Sequence, residues 1–191
     1  MAIKTFTAGS VLTAADTNTY LANAGLVYIT QASATSGSSL SVDNVFSSTY
    51  SNYRIHIDGF QPATAAVGLQ LRMRVSSTDA SGTDYFNSYS GLYVDGSSSS
   101  STVSAATSMA TGIYNSSNTT PFGYSVLDVF GPNRAERTYF AVNAVLYNSQ
   151  FGARVGFGEH NLTTAYTGFT LLPGSGNFSN IRVWVYGYRN S

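Results

Sequence analysis

Cysteine is absent from this 191-residue chain, which removes disulfides, thiolate nucleophiles and cysteine-ligated zinc together and makes the fold indifferent to redox compartment. Charge is scarce too: Asp, Glu, Lys and Arg make up 9% of the residues, Lys4 is the only lysine, and the formal net charge is zero. So balanced a chain has little self-repulsion and associates readily, which suits a subunit of an assembly. The arginines are scattered singly from Arg54 to Arg189, whereas phosphate binding needs clustered cations, so no nucleic acid is expected as a partner. No apolar run approaches the ~20 residues of a membrane span, and the stretch from Met1 to Thr13 lacks the apolar core of a signal peptide. The expectation is a chain made and kept in the cytoplasm, with no membrane partner.

What remains is apolar, aromatic and hydroxylic. Hydrophobic residues account for 43% of the chain, and there are fourteen tyrosines beside a single tryptophan. A chain of this length removes about 70% of its unfolded surface from water on folding, which is enough for a full core without covalent staples. The polar exterior must then come from Ser, Thr, Asn and Gly, unlike the Lys- and Glu-rich surface of a typical cytosolic enzyme.

The pattern changes at Gly25. Before it, Thr13 to Gly25 is the one stretch with helix start and stop signals: Thr13 as N-cap, Asp16 three residues on in a loose capping box, and Gly25 placed for a left-handed end. Leu12, Tyr20, Leu21 and Ala24 form an apolar stripe on a helix too short to stand alone, so it must dock on something. Residues 1–25 are read as a docking arm, with Phe6, Leu12, Tyr20 and Leu21 as the docking residues, and residues 26–191 as one β-domain.

From Leu26 onward the period is two. In Tyr53–Asp58 the apolar side chains alternate with Arg54, His56 and Asp58, and in Leu69–Val75 with Gln70, Arg72 and Arg74, the signature of antiparallel strands with one face buried. Further strands are expected at Val27–Gln31, Asp84–Val94, Gly123–Phe130, Thr138–Tyr147, Phe151–Phe157, Phe169–Leu172 and Ile181–Tyr188. Turns are expected at Asp58-Gly59, Ser81-Gly82, Asp95-Gly96, Gly131-Pro132-Asn133 and Pro173–Asn177. Gly96–Thr102 and Tyr114–Pro121 read as loose polar loops. Eight or more short strands with one brief helix predict an all-β fold, an antiparallel β-sandwich with jelly roll topology.

A catalytic site needs a convergent acid, base, nucleophile or metal. His56 lies on a strand's polar face and reads as a solvated or hydrogen-bonded residue, while His160 follows Glu159 in a turn-like stretch. A metal site joining them would need a third ligand that the sequence does not nominate. The nine carboxylates sit mostly beside Gly, Ser or Asn, where turn-capping accounts for them. The reading is therefore a non-enzyme with no catalytic residue, no metal ligand and no cofactor. The aromatics are more informative: Trp184, Tyr186 and Tyr188 share one face of the last strand, opposite Ile181, Val183 and Val185. Three readings stay open: a central strand covered on both faces, a subunit interface built on Trp184, Tyr186 and Tyr188, or a platform on which a sugar stacks.

Both ends of the chain carry a resemblance. Phe6-Thr7-Ala8-Gly9-Ser10-Val11-Leu12-Thr13-Ala14-Ala15-Asp16-Thr17-Asn18 resembles the F-x-x-G-x-x-L-T-A-A-x-x-N opening common among structural proteins of tailed bacteriophages. The Ser175–Ser191 ending, with Ile181-Arg182-Val183 and Tyr186-Gly187-Tyr188-Arg189, resembles the close of many virion proteins of cyanophages and other marine phages; Asn180 stands where glycine is usual, and an extra Trp-Val pair lengthens the strand. The two motifs cover about a fifth of the chain and carry no catalytic signature. The resemblance implies a virion structural protein assembled in the host bacterial cytoplasm: a capsid decoration (cement) protein or a short head-fibre subunit. It also implies a homo-oligomer, a homotrimer by preference, whose partners are other phage structural proteins of capsid or tail. The alternative it leaves is a tail fibre or adaptor whose sandwich binds a host glycan.

Overall fold

A computed structural model describes residues 7–11, 13–16, 25–64 and 66–189. At its start the Thr13–Asp16 cap forms as a reciprocal pair: Thr13 Oγ1 accepts from the Asp16 amide at 3.1 Å, and Asp16 Oδ2 accepts from the Thr13 amide at 3.1 Å. One turn of helix, α1 (Ala14–Asp16), follows. Gly25 has the expected left-handed backbone, φ 87°. The docking candidates Phe6, Leu12, Tyr20 and Leu21 lie outside the described residues.

Thirteen strands follow: β1 (Leu26–Ala34), β2 (Leu40–Val42), β3 (Asn52–Pro62), β4 (Val67–Val75), β5 (Thr78–Asp79), β6 (Tyr85–Tyr93) and β7 (Ser98–Ala106), then β8 (Met109–Asn115), β9 (Tyr124–Phe130), β10 (Thr138–Tyr147), β11 (Phe151–His160), β12 (Gly168–Pro173) and β13 (Phe178–Tyr188). The all-β expectation holds. Apart from one parallel contact, every pairing is antiparallel.

Strand order has a simple logic. One ladder runs β1-β13-β3-β9, and a second runs β2-β12-β4-β8. Each strand of the first is joined in sequence to its counterpart in the second, β1 to β2, β12 to β13, β3 to β4 and β8 to β9, so four chain arches stack side by side. The first ladder continues from β9 through β10, β11 and β6 to β7. The parallel contact, Tyr147 with Asn115, ties β10 back to β8 and makes the whole a single, nearly barrel-shaped sheet.

The core lies between the arches. Ile55 and Ile57 of β3, Leu127 and Val129 of β9, and Val183 and Val185 of β13 join Leu69, Leu71 and Met73 of β4 and Phe169 and Leu171 of β12 in one cluster, each at most 2% exposed. Full burial of one such side chain is worth about 1.5–3 kcal/mol, so this cluster dominates the folding free energy. The alternation of Leu69–Val75 is observed, with Leu69, Leu71 and Met73 buried, Val75 half-buried at the strand end, and Gln70, Arg72 and Arg74 half-buried on the other side. Glycines on β11 shape the sheet: a Cβ at Gly156 or Gly158 would meet backbone carbonyl oxygens of β6 at 2.6 and 2.9 Å, so their lack of side chains lets β6 close tightly over β11.

Several expectations need correction. Asp58-Gly59 does not reverse the chain. Gly59, at φ 64°, forms a bulge inside the continuous strand β3, where the register against β13 shifts. The extra residue changes parity, so Tyr53, Ile55 and Ile57 are buried before it and Phe60 and Pro62 after it. Most of the Gly96–Thr102 stretch is strand β7, paired along β6, with Ser88 and Thr102 hydroxyls 3.1 Å apart. A serine run has no hydrophobic period, and an edge strand needs no buried face, so periodicity is blind to it. Tyr114 and Asn115 close strand β8 instead of opening a loose loop. Fully buried Asn115 donates to the carbonyls of Phe60 and Thr120 at 2.9 and 3.1 Å, and its Oδ1 accepts from the Ser117 amide, which pins the residues that follow.

Candidate functional site

Most of the carboxylates are engaged in ion pairs. Arg74 bridges Asp43 and Asp79, Arg182 pairs with Asp58, Arg134 with Glu136, and Arg137 with Glu159. Asp95 caps its turn, accepting from Ser97 and Gln150, and these bonds hold its carboxyl down at about 2. Among the described residues no three His, Asp or Glu side chains gather as a metal-binding group.

His160 is not in a turn. It ends β11, is fully buried, and stacks on Tyr85 with ring centroids 4.2 Å apart. Nδ1 lies 3.3 Å from the Asp84 carbonyl, which only accepts, so Nδ1 carries the proton and Nε2 accepts from the Tyr166 hydroxyl at 2.5 Å. Burial lowers its pKa, outweighing the opposite pull of Asp84, and the imidazole is neutral near pH 7. This is a core pin, and its distance in sequence from Tyr85 explains why it was unreadable as one.

The outward face of the β13-β3-β9-β10 ladder is where side chains with recognition chemistry converge. Cross-strand register places Trp184 beside His56, His56 beside Val126, and Val126 beside Asn143. In the next row Arg182 faces Asp58, Asp58 faces Tyr124, and Tyr124 faces Val145. These two rows enclose an open groove of about 380 Å³, lined by Trp184, His56, Asp58, Tyr124, Val126 and Asn143 among others.

On the other side of Trp184 the row reads Tyr186, Arg54, Asp128 and Ala141. Arg54 grips Asp128 in a two-point ion pair at 2.7 and 2.8 Å, and the Tyr188 hydroxyl donates to Asp128 Oδ1 at 2.6 Å. Burial pushes the Tyr188 phenol up to about 12, helped by the carboxylate it donates to. Burial also works to raise Asp128, but the bonds from Arg54 and Tyr188 outweigh it and leave the carboxyl below its ordinary value. His56 is lowered by burial and then by the Arg54 charge, so it too is neutral. The Tyr186 ring lies between Tyr28, at 5.9 Å, and His56, at 5.3 Å.

Trp184, Tyr186 and Tyr188 therefore do share one face, and all three are half-buried by neighbours within the chain. Sequence reasoning missed their companions Tyr124, Val126, Asp128 and Asn143. Each was legible as an outward residue of its strand, but no local signal says that β9 lies beside β3 or that β10 lies beside β9.

Farther along, the same face turns apolar. Tyr139 and Val145 of β10, Phe151, Val155 and Phe157 of β11, and Leu92 of β6 are each between 45% and 68% exposed. Register keeps them contiguous, with Ala141 facing Phe157 and Val145 facing Ala153. The ladder ends at β7, which carries neither charge nor proline along its nine residues, although free edges are ordinarily blunted by both. No protein-family model matches the chain, and no curated protein matches it in sequence.

Proposed function

We propose that this protein is a structural subunit of a tailed-phage particle, a capsid decoration (cement) protein or short head-fibre subunit, that works by shape and contact. Its arm, residues 1–25, anchors the chain, and the β-domain presents a surface to identical copies and to other virion proteins. In this reading the sheet is a jelly roll type of β-sandwich, supported by the four stacked arches that share one core. The observation that carries the function is the contiguous apolar face on β10, β11 and β6 beside an uncharged edge strand. Monomeric proteins rarely leave large contiguous apolar patches in water, and covering this one removes apolar area at about 25 cal/mol per Å². The ion-paired state of most carboxylates supports a non-catalytic role.

The reading makes two measurable claims. The purified chain is a homo-oligomer, by preference a trimer, in light scattering, and Phe157→Lys with Val155→Lys shifts it to monomer while the far-ultraviolet circular dichroism stays that of the parent. In particles, deletion of residues 1–25 leaves a folded β-domain that no longer co-purifies with virions. A parent chain that is monomeric at high concentration, or full incorporation of the truncated chain, overturns the respective claim.

A further inference from the structure

We propose that the groove between Trp184 and Tyr124 binds a neutral pyranose unit of a glycan. The inference concerns a ligand site separate from the apolar assembly face, and it holds wherever on a particle the chain resides.

A pyranose ring presents an apolar C–H face and a rim of hydroxyls that each donate and accept. Recognition therefore needs an aromatic surface for the face and paired polar groups for the rim. The groove supplies both. Trp184 on β13 and Tyr124 on β9 stand on either side of β3, level with His56 and Asp58 respectively; two strand spacings of about 4.8 Å and two residue rises of about 3.4 Å set their backbones roughly 12 Å apart on the diagonal, which leaves room for a sugar ring between the two aromatic side chains. Between them lie the rim partners. Asp58 pairs with Arg182 through Oδ2 at 2.6 Å while its Oδ1 is buried, so the groove meets this carboxylate as one half of an ion pair whose Arg182 side chain is 49% exposed. Neutral His56 offers one donor or one acceptor, and the exposed Asn143 amide offers both.

The charge balance selects the ligand class. Asp58 is compensated by Arg182, and His56 carries no charge near neutrality, so no net cation is left to hold a carboxylated or sulfated sugar. Trp184 is half-buried, so part of its side-chain freedom is spent before binding, which limits the ordering cost. The larger groove on the same face, lined by Phe86, Val103, Tyr139 and Phe157 among others, is mostly apolar and belongs with the assembly surface.

Trp184 is the only tryptophan in the chain, so its fluorescence reports from inside the proposed site. The full-length protein is titrated with a panel of neutral di- and trisaccharides of glucose, galactose, mannose and N-acetylglucosamine, the corresponding monosaccharides, and sialyllactose as the acidic member. The expected result is a saturable change in Trp184 emission with at least one neutral oligosaccharide and none with sialyllactose. Tyr124→Ser and Asn143→Ala, both at exposed positions, are each expected to weaken that binding roughly tenfold, while Leu162→Ser, at an exposed position that does not line the groove, leaves it unchanged. Calorimetric titration of Trp184→Phe gives a second readout that does not depend on the fluorophore and is expected to show weakened binding. No response to any neutral sugar, a response confined to sialyllactose, or parental affinity in Tyr124→Ser overturns the proposal.

Discussion

Replacing His160 by Phe tests whether the buried imidazole acts through its hydrogen bonds or merely through its bulk. The aromatic ring that stacks on Tyr85 is retained, so little cavity is created. What is lost is the donor to the Asp84 carbonyl and the acceptor for Tyr166, whose side chain is 1% exposed. A buried polar group left without a partner costs about 1–3 kcal/mol. The Asp84 carbonyl keeps the Asn161 amide at 3.0 Å, and Thr164 also contacts the Tyr166 hydroxyl, which places the sum at about 1–3 kcal/mol by the same scale. For a chain of this size each kcal/mol moves the melting temperature by about 2–4 °C, so His160→Phe should melt about 2–12 °C below the parent. Tyr166→Phe alone strands the imidazole acceptor, whereas the double variant removes both partners and should be more stable than the sum of the single losses by at least ~1 kcal/mol. Urea unfolding followed by circular dichroism on all four proteins measures the cycle. Additivity within ~0.5 kcal/mol would refute the reasoning.

The same residue sets a pH dependence. Because burial lowers the folded pKa of His160 below its ordinary 6.5, the unfolded chain binds the proton more tightly; stability is complete above that value and falls as the pH drops below it, by up to ~1.4 kcal/mol per pH unit for each such histidine. His56 is lowered as well, so His160→Phe should reduce the slope in unfolding titrations between pH 7 and 5 without abolishing it. Leu71→Ala, at a position with no exposure, should cost about 2–5 kcal/mol in the same assay. Gly187→Ala would drive its Cβ into the Tyr50 ring and should cost at least ~1–3 kcal/mol, with Tyr50→Ala in the same chain relieving the clash. Ser76 and Ser77, both left-handed at φ 49° and 60° in the β4–β5 turn, should accept Asn-Gly with a gain of roughly 1 kcal/mol; a loss in thermal melts would contradict the turn assignment.

Much of this protein was readable along the chain, because strand burial has a period of two and turn residues punctuate it. Tyr53–Ile57, Leu69–Met73 and Ile181–Val185 declared their core faces by alternation alone, and Thr13 with Asp16 declared a cap whose two partners are only three residues apart. Where the deciding interaction is distant, local reading failed. The serines of β7 show no apolar period, and their strand exists because β6 offers a free edge. Gly59 resembles a turn until β13 is laid alongside and makes it a bulge. Asn115 and His160 look like solvated polar residues until Phe60, Thr120, Tyr85 and Tyr166 are brought around them.

The sequence by itself determined an all-β chain with a neutral exterior, no thiol chemistry and an aromatic last strand, since those follow from composition and from the two-residue repeat of a pleated strand. Only the tertiary structure decided which strands are neighbours. Neighbour order is a matter of contacts between residues as far apart as Leu26 and Tyr188. It alone sets Trp184 and Tyr124 around His56 and Asp58, and it alone gathers the apolar side chains of β10, β11 and β6 into one face.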